Sequence, residues 1–339
     1  MHFQTFSRSC GSLSIAWFAV SCLLLPTAAQ ADTIYAVSNG DGRIIRYDSA
    51  NPAGTVVTLS GSGSIVSAAG LALGPDGNLY VGESGDYGTV APAIRRLNLA
   101  TNTLSTVYTF SAFDVFPGAL VFKGTDLLVG RNPFFGDTGS VVRLANATGG
   151  SPTASNFTSG YSLASSPGLA LGPDGSLYVS SMTYDFGTKI ASGPVVRFDA
   201  DGNYVGELIA SGSSGLSGPT GLGIAGSTLY TASIMGGTVL ETDLSVIPIA
   251  TMPFGSTGVP FGASPLAVLS DGGLIVGSAG GGGAIYRFDA DGALIGTFNS
   301  GLGTIGGLVA VPEPTAAVTA AVGIAAAALS FRRRRAGQR

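Results

Sequence analysis

"GLALGPDGNLYVGES" at Gly70–Ser84 returns almost unchanged as "GLALGPDGSLYVSSM" at Gly168–Met182. In each copy an apolar run meets Pro-Asp-Gly, a tripeptide that presets a tight turn, and resumes as Leu-Tyr-Val. The phrase therefore reads as strand, turn, strand. Weaker copies, "GALVFKGTDLLVGRN", "GLGIAGSTLYTASIM" and "PLAVLSDGGLIVGSA", begin at Gly118, Gly221 and Pro265, so successive starts lie 48, 50, 53 and 44 residues apart. A second phrase follows each after a variable loop, as in "VVRFDADGNYVGELIAS" and "AIYRFDADGALIGTFNS". It again reads as strand, turn, strand.

Four short strands recurring every 40 to 50 residues or so are the signature of a β-propeller blade. Thr33 to Leu59 supplies the second, third and fourth strands of a blade without the first, and Gly306 to Val311 supplies a first strand with nothing after it. Joined, they complete one blade and close the ring. The expectation is an all-β, six-bladed propeller over residues 32–311, with seven blades, one of them degenerate, as the alternative. Composition agrees: 53 glycines and only 11% charged residues among 339 favour short strands and tight turns over amphipathic helices. The body resembles six-bladed propellers of the NHL-repeat and SMP-30 (gluconolactonase-like) groups, a likeness that identifies architecture better than activity.

Residues 1–31 read as a secretory signal: Arg8, an apolar stretch from Leu13 to Leu25, and Ala29-Gln30-Ala31 as the cleavage site. A lipoprotein signal using Cys22 is the rival. At the other end, Thr315 to Phe331 carries no charge and is followed by Arg332, Arg333, Arg334 and Arg335. The physics of that segment alone describes a weak single-span helix, 315–331, with its arginines on the cytoplasmic side. The order of motif, weak helix and arginine cluster resembles the PEP-CTERM sorting signal of Gram-negative bacteria that make exopolysaccharide, with Val311-Pro312-Glu313-Pro314 as its motif. That resemblance implies an exosortase-type processing enzyme as a partner, residues 312–339 as a transient membrane anchor, and a mature body at the cell surface or outside it.

Both cysteines, Cys10 and Cys22, and the only histidine, His2, lie within residues 1–31. A mature chain starting at Asp32 thus has no disulfide, no thiolate or imidazole metal site and no Ser-His or Cys-His nucleophile. SMP-30-type lactonases hold a divalent metal with ligands just before the first-strand glycine. Here those places carry Ala69, Pro117, Pro167, Thr220, Ser264 and Gly306, a poor set for a hard cation. "FDADGN" at Phe198–Asn203 and "FDADGA" at Phe288–Ala293 lack calcium-loop spacing and read as hairpin turns. No metal or cofactor is expected.

In a propeller the loops between second and third strands share one face. Here they carry Asp86 and Tyr87, then Phe134, Phe135 and Asp137, then Tyr184, Asp185 and Phe186; loops from fourth strands add Phe113, Phe116, Phe254 and Phe261. Aromatic planes beside carboxylates suit a sugar, whose CH faces stack and whose hydroxyls seek acceptors. The same aromatics could instead pack down over the channel mouth. Asp32 to Val311 holds ten Lys and Arg against nineteen Asp and Glu, which argues against nucleic acid as a partner. The sequence therefore points to a non-catalytic binding or scaffold module, with polysaccharide as the candidate ligand. The alternatives are a purely structural protein, or a polysaccharide hydrolase using paired carboxylates among Asp86, Asp137 and Asp185.

Overall fold

The computed structural model describes residues 32–49, 51–61, 63–86, 88–111, 116–133, 138–246, 249–280, 282–299 and 301–312. The expected signal (1–31), the anchor segment with its arginines (313–339), and Tyr87, Phe113, Phe134, Phe135 and Asp137 lie outside them. Among the described residues no helix is long and apolar enough to cross a membrane.

Twenty-seven strands are described. Blade one opens with β1 (Asp32–Ser38), β2 (Ile44–Asp48) and β3 (Asn51–Val56). A two-residue strand, β4 (Ser60–Gly61), precedes blade two, which is β5 (Ala68–Leu73), β6 (Leu79–Glu83), β7 (Ala93–Asn98) and β8 (Thr103–Thr109). Blade three is β9 (Phe116–Lys123), β10 (Asp126–Asn132), β11 (Ser140–Ala145) and β12 (Thr153–Asn156). Blade four is β13 (Leu169–Leu171), β14 (Leu177–Ser180), β17 (Val195–Phe198) and β18 (Tyr204–Ile209), interrupted by β15 (Thr183–Asp185) and β16 (Ile190–Ser192). Blade five is β19 (Pro219–Ala225), β20 (Thr228–Ser233), β21 (Thr238–Asp243) and β22 (Ala250–Ser256). Blade six is β23 (Leu266–Val268), β24 (Leu274–Gly277), β25 (Ala284–Phe288) and β26 (Leu294–Asn299), and β27 (Ile305–Pro312) follows.

Strand β27 pairs antiparallel with β1, Thr33 opposite Val311 and Ala36 opposite Leu308, so the sheet order is β27-β1-β2-β3. The ring closes as the split blade requires, and the blades number six. Asp32, the first residue after the expected cleavage, is 1% exposed. Its amide donates to Ser49 Oγ at 2.8 Å, and its carboxylate accepts the Ser270 amide of blade six at 2.7 Å.

The Leu-Tyr dipeptide of the second strands explains why the phrase repeats. Successive residues of a strand point to opposite faces. Leu79 packs with Val37 and Ile44 of blade one, while Tyr80 packs with Leu120 and Leu127 of blade three. Leu177 and Tyr178, and Leu229 and Tyr230, repeat the arrangement around the ring. Each dipeptide thus ties its blade to both neighbours, with the leucines fully buried.

Two details differ from four plain strands per blade. The link from blade one pairs β4 in parallel with β8, giving blade two a fifth strand at its outer edge. The segment after Met182, expected as a loop, forms the hairpin β15 and β16, with Tyr184 opposite Ala191. Thr183, Tyr184 and Ile190 favour extended backbone, and Asp185 sets the turn between the two strands.

At the axis the backbones nearly touch. A Cβ placed on Gly70 would stand 2.0 Å from the Gly118 carbonyl oxygen, on Gly168 1.9 Å from that of Thr220, on Gly221 2.1 Å from that of Ser264, and on Gly306 2.1 Å from that of Ala68. Each partner belongs to the next blade, so a methyl group cannot be admitted without opening the ring. Gly168→Ala is therefore expected to destabilise by about 3 kcal/mol, at the upper end of overpacking costs. Gly206→Ala, at an open site in β18, should stay within about 0.5 kcal/mol of the parent. Urea unfolding monitored by circular dichroism compares the two.

Candidate functional site: the loop face

The central channel is not the site. Its lining is backbone and aliphatic, contributed once per blade by residues such as Leu71, Leu120, Leu169, Leu222, Leu266 and Leu308, around about 70 Å³. That space admits a few waters but no sugar ring. The positions where a lactonase would hold its metal are unsuitable in detail: Thr220 is buried and its hydroxyl is committed to the carbonyls of Ala232 and Ala263, both at 3.3 Å. Among the described residues no group of three or more His, Cys, Asp or Glu is placed to hold a metal ion.

The antiparallel order of each blade brings the second-to-third and the fourth-to-first connections to one face. Blade four projects the hairpin β15 and β16 there. Tyr184 and Phe186 meet edge to face with ring centroids 5.0 Å apart, and Phe186 is 78% exposed. Ile190 extends the apolar surface on the returning strand and is likewise exposed. The base of the hairpin is fixed: Ala191 is buried against Gly218, Ser165 Oγ donates to the Met182 carbonyl at 2.7 Å, and the Gly193 amide donates to Ser211 Oγ at 3.1 Å. A fixed support thus carries an aromatic tip in which Phe186 is exposed and Tyr184 half-buried.

The acids nearby serve their own loops. Asp185 Oδ1 accepts the amides of Gly187 at 2.8 Å and Thr188 at 3.2 Å, and the Thr188 bond leads in holding its carboxyl below the usual aspartate range. Asp86 binds the Thr89 hydroxyl and accepts the amides of Val90 and Thr89, both at 2.7 Å, and Gly88 at 3.1 Å. The Thr89 hydroxyl and these amides push its pKa well down. These are Asx-type loop anchors, in which a carboxylate satisfies amides that a turn leaves free. Asp86 and Asp185 are thus engaged by their own loops, and Asp137, the third acid of the set, lies outside the described residues.

Other sequence candidates move off the face. Phe254 lies within β22, packed edge to face on Tyr230 at 5.0 Å and against Phe288, so it belongs to the seam between blades five and six. Phe116 opens β9 and is buried. The fourth strand of blade five runs through Ser256, and the first strand of blade three begins at Phe116, ahead of the repeated phrase at Gly118. Phe261 stays in its loop with φ 59° and accepts amides from Ala279 and Gly280.

A buried pair beneath the blade-two loop escaped sequence reasoning. Glu83, 1% exposed, bonds Arg95 Nη1 at 3.0 Å and accepts the Val66 amide at 2.7 Å. Its only signal was a charge at the end of a strand whose counterparts are Ser181 and Ser278.

No family model matches the chain, and no curated protein does. Solved structures match through the fold. A chain of a nidogen/laminin complex superposes with TM-score 0.63 at 14% identity, covering 83% of this chain and 98% of that one. TolB from Acinetobacter baumannii gives 0.59 at 14%, covering 84% and 67%. A protein of unknown function from Bacteroides caccae gives 0.58 at 12%, covering 84% and 100%. At such identities the likeness shows the six-bladed propeller and nothing finer.

Because Asp86 and Asp185 titrate below the ordinary aspartate value of about 3.9, both stay ionised from about pH 5 to pH 8. The loop contacts they make are present above that ordinary value and are lost as pH falls through the lowered ones. Carboxyl resonances followed by NMR through a pH titration are expected to show both groups flat across the neutral range.

Proposed function

We propose that this chain is an exported, non-catalytic binding or scaffold module of the cell surface or extracellular matrix, whose loop face meets polysaccharide. The observation that carries this reading is the aromatic tip of the blade-four hairpin, held rigidly from below and left open above. Exposed rings on an ordered support lose little entropy on binding, and their faces match the CH surfaces of sugars. Asp86 and Asp185 stay ionised near neutrality but are engaged by their own loops, so the rings rather than these carboxylates carry the contact. The same ionisation speaks against the hydrolase alternative for these two acids, since a glycosidase needs one carboxyl kept protonated as the general acid.

The reading includes transport. The N-terminal segment directs export, and the Val311-Pro312-Glu313-Pro314 motif, the apolar segment 315–331 and Arg332 to Arg335 form the address read by an exosortase-type enzyme. Supporting this layout, the closing strand β27 ends at Pro312, so the folded ring and the motif meet without a linker.

The test is binding of the purified protein to exopolysaccharide from the producing strain, followed by affinity gel electrophoresis. The Y184A/F186A variant is expected to bind about tenfold more weakly, with a melting temperature lowered only slightly, since Phe186 is exposed and Tyr184 is half-buried. Undiminished binding by that folded variant overturns the loop-face reading. Intact mass of the protein from native medium and envelope should give a species starting at Asp32 and lacking the arginine cluster; a membrane species retaining Arg332 to Arg339 overturns the sorting reading.

A further inference from the structure

Five blades carry an arginine at one register of the third strand: Arg46 on β2, Arg96 on β7, Arg143 on β11, Arg197 on β17 and Arg287 on β25. Each lies opposite a second-strand residue, respectively Tyr35, Tyr80, Leu128, Tyr178 and Ile275. Blade five has Glu241 there instead, opposite Tyr230. Four of the five cations are engaged. Arg143 meets Asp126 at 2.5 Å, Arg197 meets Asp174 at 2.8 Å and Arg287 meets Asp271 at 3.0 Å, each acid standing at the junction of first and second strands. Arg96 bonds the Tyr80 hydroxyl, which itself donates to the turn acid Asp76 at 2.9 Å.

Arg46 forms no ion pair or side-chain hydrogen bond among the described residues. Blade one is the split blade, so no turn joins its first strand β27 to its second, β1, and no turn acid faces this arginine. The guanidinium borders a cavity of about 240 Å³ between blades one and two, lined also by Tyr35, Thr55, Thr58, Leu99 and Asn102. An equivalent cavity of about 310 Å³ lies between blades three and four. Its row is Leu128, Arg143 and Ser155, where blade one has Tyr35, Arg46 and Thr55, and in both the turn between third and fourth strands of the next blade adds a wall. Two carboxylates, Asp126 and Asp201, line the blade-three cavity, and Asp126 holds its arginine. No acidic residue lines the blade-one cavity among the described residues. The hydroxyls of Tyr35, Thr55 and Thr58 and the side-chain amide of Asn102 also make no side-chain hydrogen bond among the described residues. Asn102 is nonetheless fixed through its backbone, whose carbonyl accepts the Ser60 amide at 2.9 Å.

We propose that this cavity binds an acidic sugar, a uronate, with its carboxylate on Arg46. A guanidinium presents its N–H donors in a planar fork that matches a carboxylate. The ion pairs of blades three, four and six show that this register accepts that group. Around the arginine the lining is mostly hydroxyl and amide, which suit the hydroxyls of a sugar ring, and Leu99 offers an apolar surface to a CH face. The cavity is smaller than the roughly 300 Å³ at which pockets for larger ligands begin, so it takes one sugar residue rather than a stretch of chain. The choice of an acidic sugar rests on the polysaccharide reading, but the site lies on the outer strands of blade one, three blades from the hairpin of β15 and β16.

The test is equilibrium dialysis of D-glucuronate, D-glucose and inorganic phosphate against the purified full chain in detergent. Glucuronate is expected to bind about tenfold more tightly than either of the others. R46Q should weaken glucuronate about tenfold and T55V about threefold, each with an unchanged circular dichroism spectrum, since both side chains are exposed. The Y184A/F186A variant should bind glucuronate as the parent does, which separates this site from the loop face whatever the outcome there. Glucose held as tightly as glucuronate, or undiminished glucuronate binding by folded R46Q, overturns the proposal. Phosphate held as tightly as glucuronate marks a general anion site and overturns the assignment to a sugar.

Discussion

Backbone against backbone at the axis is the contact on which the rest of this propeller depends. Four inner-strand glycines bring carbonyl oxygens of the next blade to about 2 Å from where a side chain would begin. Once the inner strands converge this closely, the channel has no room for a ligand, and the inner wall becomes aliphatic and backbone only. Bulges at Ala68 to Gly70 and at Pro219 to Leu222 are the local means of bending inner strands into this convergence.

The fold was legible because one repeating phrase encodes three separate requirements. Glycine at its start permits the axial contact, Pro-Asp-Gly turns the chain, and Leu-Tyr sends one side chain into each adjoining seam. Even the split blade could be read, since Thr33 to Leu59 and Gly306 to Val311 are complementary fragments of that phrase. The site was legible only in part. Loop aromatics could be assigned to a face by strand order, but not to an orientation: Phe186 points to solvent, while Phe254 and Phe116 pack inward. Asp86 and Asp185 looked like chemical groups because a carboxylate near an aromatic has the same spelling whether it serves a ligand or its own turn. What separates the two is the set of amides converging on the oxygens, a property of loop geometry that no spacing rule contains. Glu83 with Arg95 was missed for a related reason, as the pair joins adjacent strands twelve residues apart beneath a loop.

Blade one differs from its neighbours because it must be assembled from both ends of the folded chain. Its first strand arrives last in sequence, and its stability rests on the β27 to β1 ladder and on Asp32, whose backbone and side chain link blade one to itself and to blade six. Such closure is a long-range event with a high loop-closure cost, recovered only when the whole ring is in place. The other blades connect first and second strands through a local turn and carry no such demand.

That contrast gives the end of the folded domain a physical meaning. In blades two and four, Pro-Asp fixes the turn and an arginine of the third strand accompanies the acid. In blade one the chain has no turn to make, yet Arg46 keeps the cation. The simplest account is that the split blade retains the chemistry of a repeat whose turn was opened. Blade one therefore depends on the β27 to β1 ladder where the other blades depend on a turn, and it forms only when the two ends of the folded ring meet.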